Sequence, residues 1–331
     1  MTDRYAVIGN PVSHSKSPWI HAEFARQTGE RLVYSTLLAS LDGFAQTVVE
    51  FAGAGGRGLN VTVPFKLEAH ALADKLSDRA KAAGAVNTLT FTQEGIAGDN
   101  TDGVGLIQDI TGNLKFSLAH RRILLLGAGG AARGVILPLL GEAPAELVMA
   151  NRTNERAEKL ARLFSTSGNI LACDFPGLAG REFDLVINAT SASLDDASPS
   201  VPADIFARRG LAYDLMYGKG ATPFLRMAER AGARVADGLG MLVEQAAESF
   251  FIWRGVRPDT EPVLVCNVDH ELLHFGRSTV VGDTVILLFY DNEAVYAKAL
   301  VSCEPLMDCL SRHRQFSRNS RNSLGFVDDF L

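Results

Sequence analysis

The feature that most constrains this 331-residue chain is a rhythm that holds up to about residue 255: short β-branched or apolar runs alternate with longer stretches of helical spacing. Tyr5-Ala-Val-Ile8, Leu32-Val-Tyr34, Gly58-Leu-Asn-Val61 and Val86-Asn-Thr-Leu89 read as strands. Between them, Pro18 to Thr28 puts Ile20, Phe24 and Ala25 on one helical face, and a second helix is expected over Leu41 to Phe51. Strands that alternate with helices have both faces covered, so the pattern predicts an α/β fold built on mainly parallel sheets.

The turn Gly98-Asp-Asn-Thr-Asp-Gly103 leads into a helix near Val104 and opens a second series. Strands are expected at Arg122–Leu126, Glu146–Ala150, Phe183–Asn188 and near Leu211–Leu215. Helices are expected after the first of these to Leu140, over Thr153–Phe164 and over Gly240–Trp253. The alternation stops near Val265. Thr279 to Tyr290 and Ala294 to Val301 read as a hairpin around Asp291-Asn292, and Arg312 to Ser323 has almost nothing apolar.

Composition excludes several classes. With 47% hydrophobic and 21% charged residues the chain can bury a core. A net charge of −6 lacks the basic excess of a nucleic-acid binder. No apolar stretch approaches the roughly 20 residues of a membrane helix, and Met1-Thr2-Asp3-Arg4-Tyr5 does not resemble a secretory signal. Four cysteines make no disulfide framework, so a cytoplasmic protein is expected.

Gly127-x-Gly129-x-x-Ala132 follows an expected strand and opens an expected helix, the context in which glycines let a backbone approach a pyrophosphate. NAD binders usually end the next strand with an acid that holds the ribose 2′-hydroxyl. Here the strand ends Ala150-Asn151-Arg152-Thr153, with Arg156 one turn on, and the two guanidinium groups suit a 2′-phosphate. The reading is NADP (NADPH).

In the first half, small hydroxyl and amide residues gather where strands end. Ser13-His-Ser-Lys-Ser-Pro18, Asn60-Val-Thr-Val-Pro-Phe-Lys66, Ala85-Val-Asn-Thr88 and Asn100-Thr-Asp102 are the clusters. Ligands of open α/β sheets bind outside the carboxyl ends of strands, so these residues would suit a polyhydroxylated ligand bearing an anionic group. Taken one at a time, each also reads as a helix cap or turn residue.

Taken in order, several motifs resemble the shikimate dehydrogenase family. They are Gly9-Asn-Pro-Val-Ser-His-Ser-Lys-Ser-Pro18, Asn60 to Lys66, Gly84-Ala-Val-Asn-Thr88 and Gly98 to Gly103. The glycine loop, Asn151-Arg-Thr153, Asn188-Ala-Thr-Ser191, Tyr213-Asp-Leu-Met-Tyr217 and Gly238-Leu-Gly-Met-Leu-Val-Glu-Gln245 complete the set. The likeness covers about residues 3–264. It departs from the family at Leu215, where relatives often carry methionine, and at Asn188 to Leu194, which lacks a commoner glycine.

The resemblance implies NADP-dependent reduction of 3-dehydroshikimate to shikimate, in aromatic amino acid biosynthesis. It implies a substrate domain of residues 1–102 plus 240–264, a Rossmann-like NADP domain of residues 103–239, and an atypical tail, 265–331, with no counterpart. Ser15 and Ser17 would hold the substrate carboxylate, with Thr62, Lys66, Asn87, Asp102, Tyr217 and Gln245 lining the rest of the pocket. Asp78, Gly127, Ala128, Gly129, Gly130, Ala131, Asn151, Arg152, Thr153, Arg156, Thr190, Ser191, Leu215, Gly238 and Met241 would fall on the cofactor side. Ketone reduction needs a proton donor at the developing alkoxide, and Lys66 takes that role, acting as acid in reduction and base in oxidation. Lys66 and Asp102 are read as one coupled catalytic unit.

Three rival readings stay open. A quinate/shikimate paralogue using NAD or NADP is the nearest, and a non-catalytic binding module is the second. The third is a metalloprotease-like site, since His270-Glu-Leu-Leu-His274 matches H-E-x-x-H, with Glu293 or Glu304 as third ligand. The run ends at Gly276 after about two turns, so it reads as a chance match and no metal is expected. The expected partner is a small-molecule substrate, with no nucleic acid and no membrane; a homodimer stays an open option. The tail reads as a poorly folded extension in preference to a pairing or regulatory segment.

Overall fold

A computed structural model describes residues 2–190, 198–218 and 220–265, and the backbone of residues 277–281, 284–291 and 294–302. The chain forms two compact units, Met1–Thr260 and Glu261–Leu331.

The first unit opens with β1 (Asp3–Gly9), α1 (Ser17–Thr28), β2 (Leu32–Leu38), α2 (Phe44–Gly53), β3 (Gly56–Val61), α3 (Lys66–Leu72), β4 (Lys75–Leu76), α4 (Asp78–Ala83), β5 (Thr88–Thr92), β6 (Gly95–Asp99) and α5 (Asp102–Gln108). These strands make one sheet in the order β2-β1-β3-β5-β6-β4. Pairing is parallel except where β5 runs against β3 and β6. The mainly parallel expectation holds, and the reversal arises because β5 and β6 form a hairpin across Thr92–Gly95, too short a connection for a parallel crossover. The strand expected from Val86 starts at Thr88, leaving Asn87 ahead of it.

A second sheet follows through β7 (Arg122–Leu126), α6 (Gly130–Gly141), β8 (Glu146–Ala150), α7 (Asn154–Phe164), β9 (Ile170–Cys173), β10 (Phe183–Asn188), β11 (Phe206–Asp214), α8 (Pro223–Arg230) and β12 (Arg234–Ala236). Its order is β12-β11-β10-β7-β8-β9, all parallel. The order reverses between β7 and β10, the doubly wound arrangement whose ligand crevice lies at that switch point. β7 is apolar at every position from Ile123 because both its faces are covered. Ile123 and Leu125 join a core with Ile136, Leu139 and Tyr213, while Leu124 and Leu126 join another with Phe224 and Ile205.

The chain then returns through α9 (Leu239–Arg254). α5 and α9 pack on each other, α5 also meets α6, and α9 also meets α1. These two helices therefore link the sheets, and the residues they carry are held by both halves.

In the second unit β13 (Arg277–Val281), β14 (Thr284–Asp291) and β15 (Ala294–Ser302) form an antiparallel sheet in that order. The sequence reading of Thr279–Tyr290 as one strand is corrected here. Val281 pairs with Thr284, so the segment is two strands, and Gly282-Asp283 between them has the composition of a two-residue hairpin connection. Asp291, read as a turn residue, closes β14 opposite Ala294. The His270–His274 motif, Glu293, Glu304 and the Arg312–Ser323 stretch lie outside the described residues. Among the described residues no cluster of His, Cys, Asp and Glu could hold a metal ion, and no helix is long and apolar enough to cross a membrane.

Candidate active site

Lys66 begins α3 and Asp102 begins α5, each just beyond a strand of the first sheet. Phe65, buried and stacked on Phe44 with ring centroids 4.9 Å apart, anchors the start of α3 and leaves Lys66 at the cleft. Lys66 Nζ donates to Asp102 Oδ2 at 2.6 Å. Their side chains are 29% and 10% exposed, so the pair is shielded from bulk water but reachable from the cavity.

Asn87 sits on the other side of Asp102. Its Nδ2 lies 2.9 Å from Asp102 Oδ1, 2.9 Å from Thr101 Oγ1 and 3.2 Å from Gln245 Oε1. Its Oδ1 accepts from the Thr101 backbone N–H at 2.8 Å and from Thr88 Oγ1 at 2.9 Å. Asn100 fixes the approach to α5, accepting from the Asp102 N–H at 3.1 Å while its own amide donates to the Ala85 carbonyl. A buried carboxylate with one ammonium and one amide donor is well held, and the ammonium keeps further protons for a ligand.

All eight expected substrate residues, Ser15, Ser17, Thr62, Lys66, Asn87, Asp102, Tyr217 and Gln245, line one cavity of about 370 Å³. Ser15 Oγ accepts from the Ser17 N–H at 3.2 Å at the start of α1. Burial, with Asp237 adding to it, pushes the Tyr217 phenol above its ordinary pKa, so it stays a neutral hydroxyl. From the expected cofactor set, Ala131, Leu215, Gly238 and Met241 reach the same cavity. Asn60, Val61, His14 and Leu242 also line it and carried no assigned role. Asn60 had a legible signal, an amide inside an otherwise apolar strand run.

Of the remaining residues expected on the cofactor side, Gly127 to Gly130, Asn151 to Thr153, Arg156 and Thr190 lie at the carboxyl edge of the second sheet. Gly127 follows β7 with φ 105°, and a methyl there would crowd the Ala189 carbonyl and Thr190. Thr190 follows β10 and is tied to Asn188 through both its N–H and its hydroxyl. At Gly129 and Gly130 an added methyl would meet no atom within 4 Å. Neither crowding nor backbone angle demands glycine there, whereas a pyrophosphate brought against the N-terminus of α6 does. Arg152, Thr153 and Arg156 are exposed beyond β8, and Asn151 folds its amide onto the Thr153 carbonyl. This donor set fits a dinucleotide with a 2′-phosphate. Asp78 heads α4 with its side chain fully exposed beside Lys81, away from the cavity wall. Ser191 lies outside the described residues.

Three parts of the chain match known family models. Residues 7–89 match the shikimate dehydrogenase substrate binding domain, residues 108–196 the shikimate/quinate 5-dehydrogenase family, and residues 238–264 the shikimate 5′-dehydrogenase C-terminal domain. A protein of Nitrosospira multiformis named shikimate dehydrogenase (NADP(+)) is 63% identical over 265 residues, 80% of this chain and 96% of the relative. One of Aromatoleum aromaticum with the same name is 63% identical over 266 residues, 79% of this chain and 95% of the relative. Among solved structures, an Ael1 enzyme from Pseudomonas putida is 51% identical with a TM-score of 0.76, covering 80% of this chain and 97% of that one. The shikimate 5-dehydrogenase of Thermus thermophilus, solved with NADP(H) and shikimate, is 35% identical with a TM-score of 0.71, covering 78% and 96%. With most of its first unit matched by these domains and relatives, the chain belongs to the shikimate dehydrogenase family.

Proposed function

We propose that this protein catalyses the reversible, NADP-dependent reduction of 3-dehydroshikimate to shikimate, in the cytoplasm and in the service of aromatic amino acid biosynthesis. The observation that carries the reading is the Lys66–Asp102 pair set in one cavity with six further polar side chains of the expected substrate set. Residues 1–102 with 240–264 act as the substrate half and residues 103–239 as the cofactor half.

Ser15 and Ser17, at the N-terminus of α1, bind the substrate carboxylate, where the helix end favours negative charge. Thr62, Asn87, Tyr217 and Gln245 hold the ring by its oxygens. NADPH, when bound along the glycine loop with its 2′-phosphate at Arg152 and Arg156, supplies a hydride to the ketone carbon. As that carbon is reduced, the C=O π pair moves onto oxygen, and the Lys66 ammonium gives it a proton, leaving a neutral amine that is reprotonated from solvent. In shikimate oxidation Lys66 takes the hydroxyl proton. Asp102 accepts from Lys66 and from Asn87, which aims the ammonium and leaves the carboxylate placed to accept from a ring hydroxyl.

The test is NADPH-linked absorbance change with shikimate, with quinate and with neither. Shikimate-dependent NADP reduction well above quinate is expected. A preference for quinate, or for NAD over NADP, would replace this reading with the quinate/shikimate paralogue. Sedimentation of the same protein reads out whether it is a homodimer.

A further inference from the structure

Beneath the cleft floor a buried set of hydrogen bonds leads toward Asp102. Tyr34 Oη donates to Asn60 Oδ1 at 2.7 Å. The Asn60 amide nitrogen donates to Ser249 Oγ at 2.9 Å and to Thr88 Oγ1 at 3.2 Å. Thr88 Oγ1 donates to Asn87 Oδ1 at 2.9 Å, and Asn87 Nδ2 donates to Asp102 Oδ1 at 2.9 Å. A donor handed along by each group ends on the carboxylate that faces Lys66.

Thr88 is the middle member, fully buried at 0% exposure and absent from the cavity wall. A hydroxyl has one proton to give. Thr88 Oγ1 has three neighbours, the Asn60 amide that donates to it, Ser249 Oγ at 2.9 Å, where either hydroxyl can donate, and Asn87 Oδ1, which among the three can only accept. The direction matters, since an Asn87 amide turned over would point its own oxygen at the Asp102 carboxylate, and the Thr88 hydroxyl acts with the Thr101 N–H in holding it. Chains of hydrogen bonds also polarise one another in a low-dielectric interior, so a donor at Asn87 Oδ1 strengthens what Asn87 offers to Asp102.

We propose that Thr88 is a positioning residue: its hydroxyl, relayed from Tyr34 and Asn60, holds the Asn87 amide with its N–H groups toward Asp102 and so keeps the Lys66–Asp102 pair in register for proton transfer. This rests on the shikimate dehydrogenase reading given above.

The test compares wild type, Thr88→Val and Thr88→Ser in NADP-linked shikimate oxidation, with NADPH affinity from fluorescence titration and thermal unfolding measured alongside. Valine keeps the shape and removes the hydroxyl. It leaves no partner stranded, because Asn87 Oδ1 retains the Thr101 N–H and Asn60 Nδ2 retains Ser249 Oγ. Thr88→Val is expected to lower kcat about tenfold, which is about 1.4 kcal/mol. NADPH affinity and Tm should stay near wild type, and Thr88→Ser should recover most of the rate. A wild-type kcat in Thr88→Val overturns the proposal. So does a serine variant as slow as the valine one, which would show that the methyl group and not the hydroxyl matters. A parallel fall in NADPH affinity and Tm would show a merely structural role and overturns it too. Should Thr88→Val fail to fold, Tyr34→Phe removes the first donor instead and is expected to lower kcat with unchanged NADPH affinity; an unaltered kcat there overturns the relay. Wild type inactive on shikimate would remove the functional reading itself, and the proposal with it.

Discussion

Lys66 and Asp102, 36 positions apart in sequence, meet at 2.6 Å because each opens a helix at the carboxyl edge of the same sheet. In the proposed mechanism the pair joins a proton donor to the group that aims it, so removing the amine should hurt the chemical step far more than binding of the dinucleotide. Lys66→Ala is expected to lower kcat by roughly 10² to 10⁴, the usual contribution of a positioned acid–base group. NADPH affinity, measured by fluorescence titration, should stay within a small factor of wild type. Near-normal turnover in this variant would falsify the assignment.

The exposed guanidinium groups of Arg152 and Arg156 should set the choice of dinucleotide. The end of β8 carries no acid to hold a bare 2′-hydroxyl, and two charge-assisted contacts would favour the phosphate. Replacing both by alanine is expected to reduce the NADP-over-NAD preference in kcat/KM by roughly 10² to 10⁴. Steady-state rates with the two cofactors check this. An unchanged ratio would mean that the 2′-phosphate is held elsewhere.

Much of this site was legible because its residues stand at strand ends, where turn and cap residues interrupt apolar runs. Gly127 was legible for the same reason, since only a residue free to adopt φ 105° fits between β7 and α6. The direction of β5 was not, because an apolar run carries no sign of which way it points. The layer under the cleft was not legible either. Asn60, Thr88 and Ser249 are separated in sequence by up to 189 positions, and each looks like an ordinary polar interruption until the fold brings them within 3.2 Å of one another.

His21 makes the stability of this protein pH-dependent. It is fully buried, its ring lies 4.1 Å from that of Tyr34 and nearly parallel to it, and neither ring nitrogen has a hydrogen-bond partner. Burial, offset only in part by nearby Asn60, lowers its pKa to about 3. In the unfolded chain the ordinary value is about 6.5, so the unfolded state takes up the proton first. The stability held by a neutral His21 is therefore complete above about pH 6.5 and is lost as the pH falls toward about 3. Between pH 7 and pH 5 the loss from this group is about 2 kcal/mol. His21→Phe, which keeps a ring against Tyr34, Phe24 and Phe250, should flatten that dependence. Denaturant midpoints at pH 7 and pH 5 measure it, and an equal slope in both proteins would exclude His21 as the source.

Asp109 and Tyr213 tie the returning helix to the second sheet. Tyr213 Oη donates to Asp109 Oδ2 at 2.6 Å and accepts from the Met241 N–H at 3.3 Å, while Asn113 donates to the other carboxylate oxygen. Asp109 is 4% exposed, and burial pushes its carboxyl above the ordinary range. Tyr213→Phe strips a donor from a buried acid and an acceptor from Met241, a loss of about 1–3 kcal/mol. Gly240→Ala should be worse, because a methyl there overlaps the Asp109 carboxylate. Calorimetry should show both variants melting below wild type, with the alanine variant lower.

The second unit should be dispensable for turnover of shikimate. Every residue assigned to substrate or cofactor lies at or before Gln245, and the first compact unit runs through Thr260. The helix that carries Gln245 is fixed within that unit. Trp253 Nε1 donates to the Leu89 carbonyl at 3.1 Å, and Arg254 at its C-terminus pairs with Asp3 and Glu30. Beyond it, Thr260 donates to buried Glu244 at 2.7 Å, so the closing turn is secured before the second unit contributes anything. The relatives named above match through about 265 residues and cover 95–96% of their own length in doing so. A protein ending at Leu264 should therefore fold, melt within a few degrees of the full chain and keep its kcat and its KM for shikimate. If it instead precipitates, or turns over at a small fraction of the full-length rate, residues 265–331 belong to the working enzyme and the division at Thr260 is not a functional one.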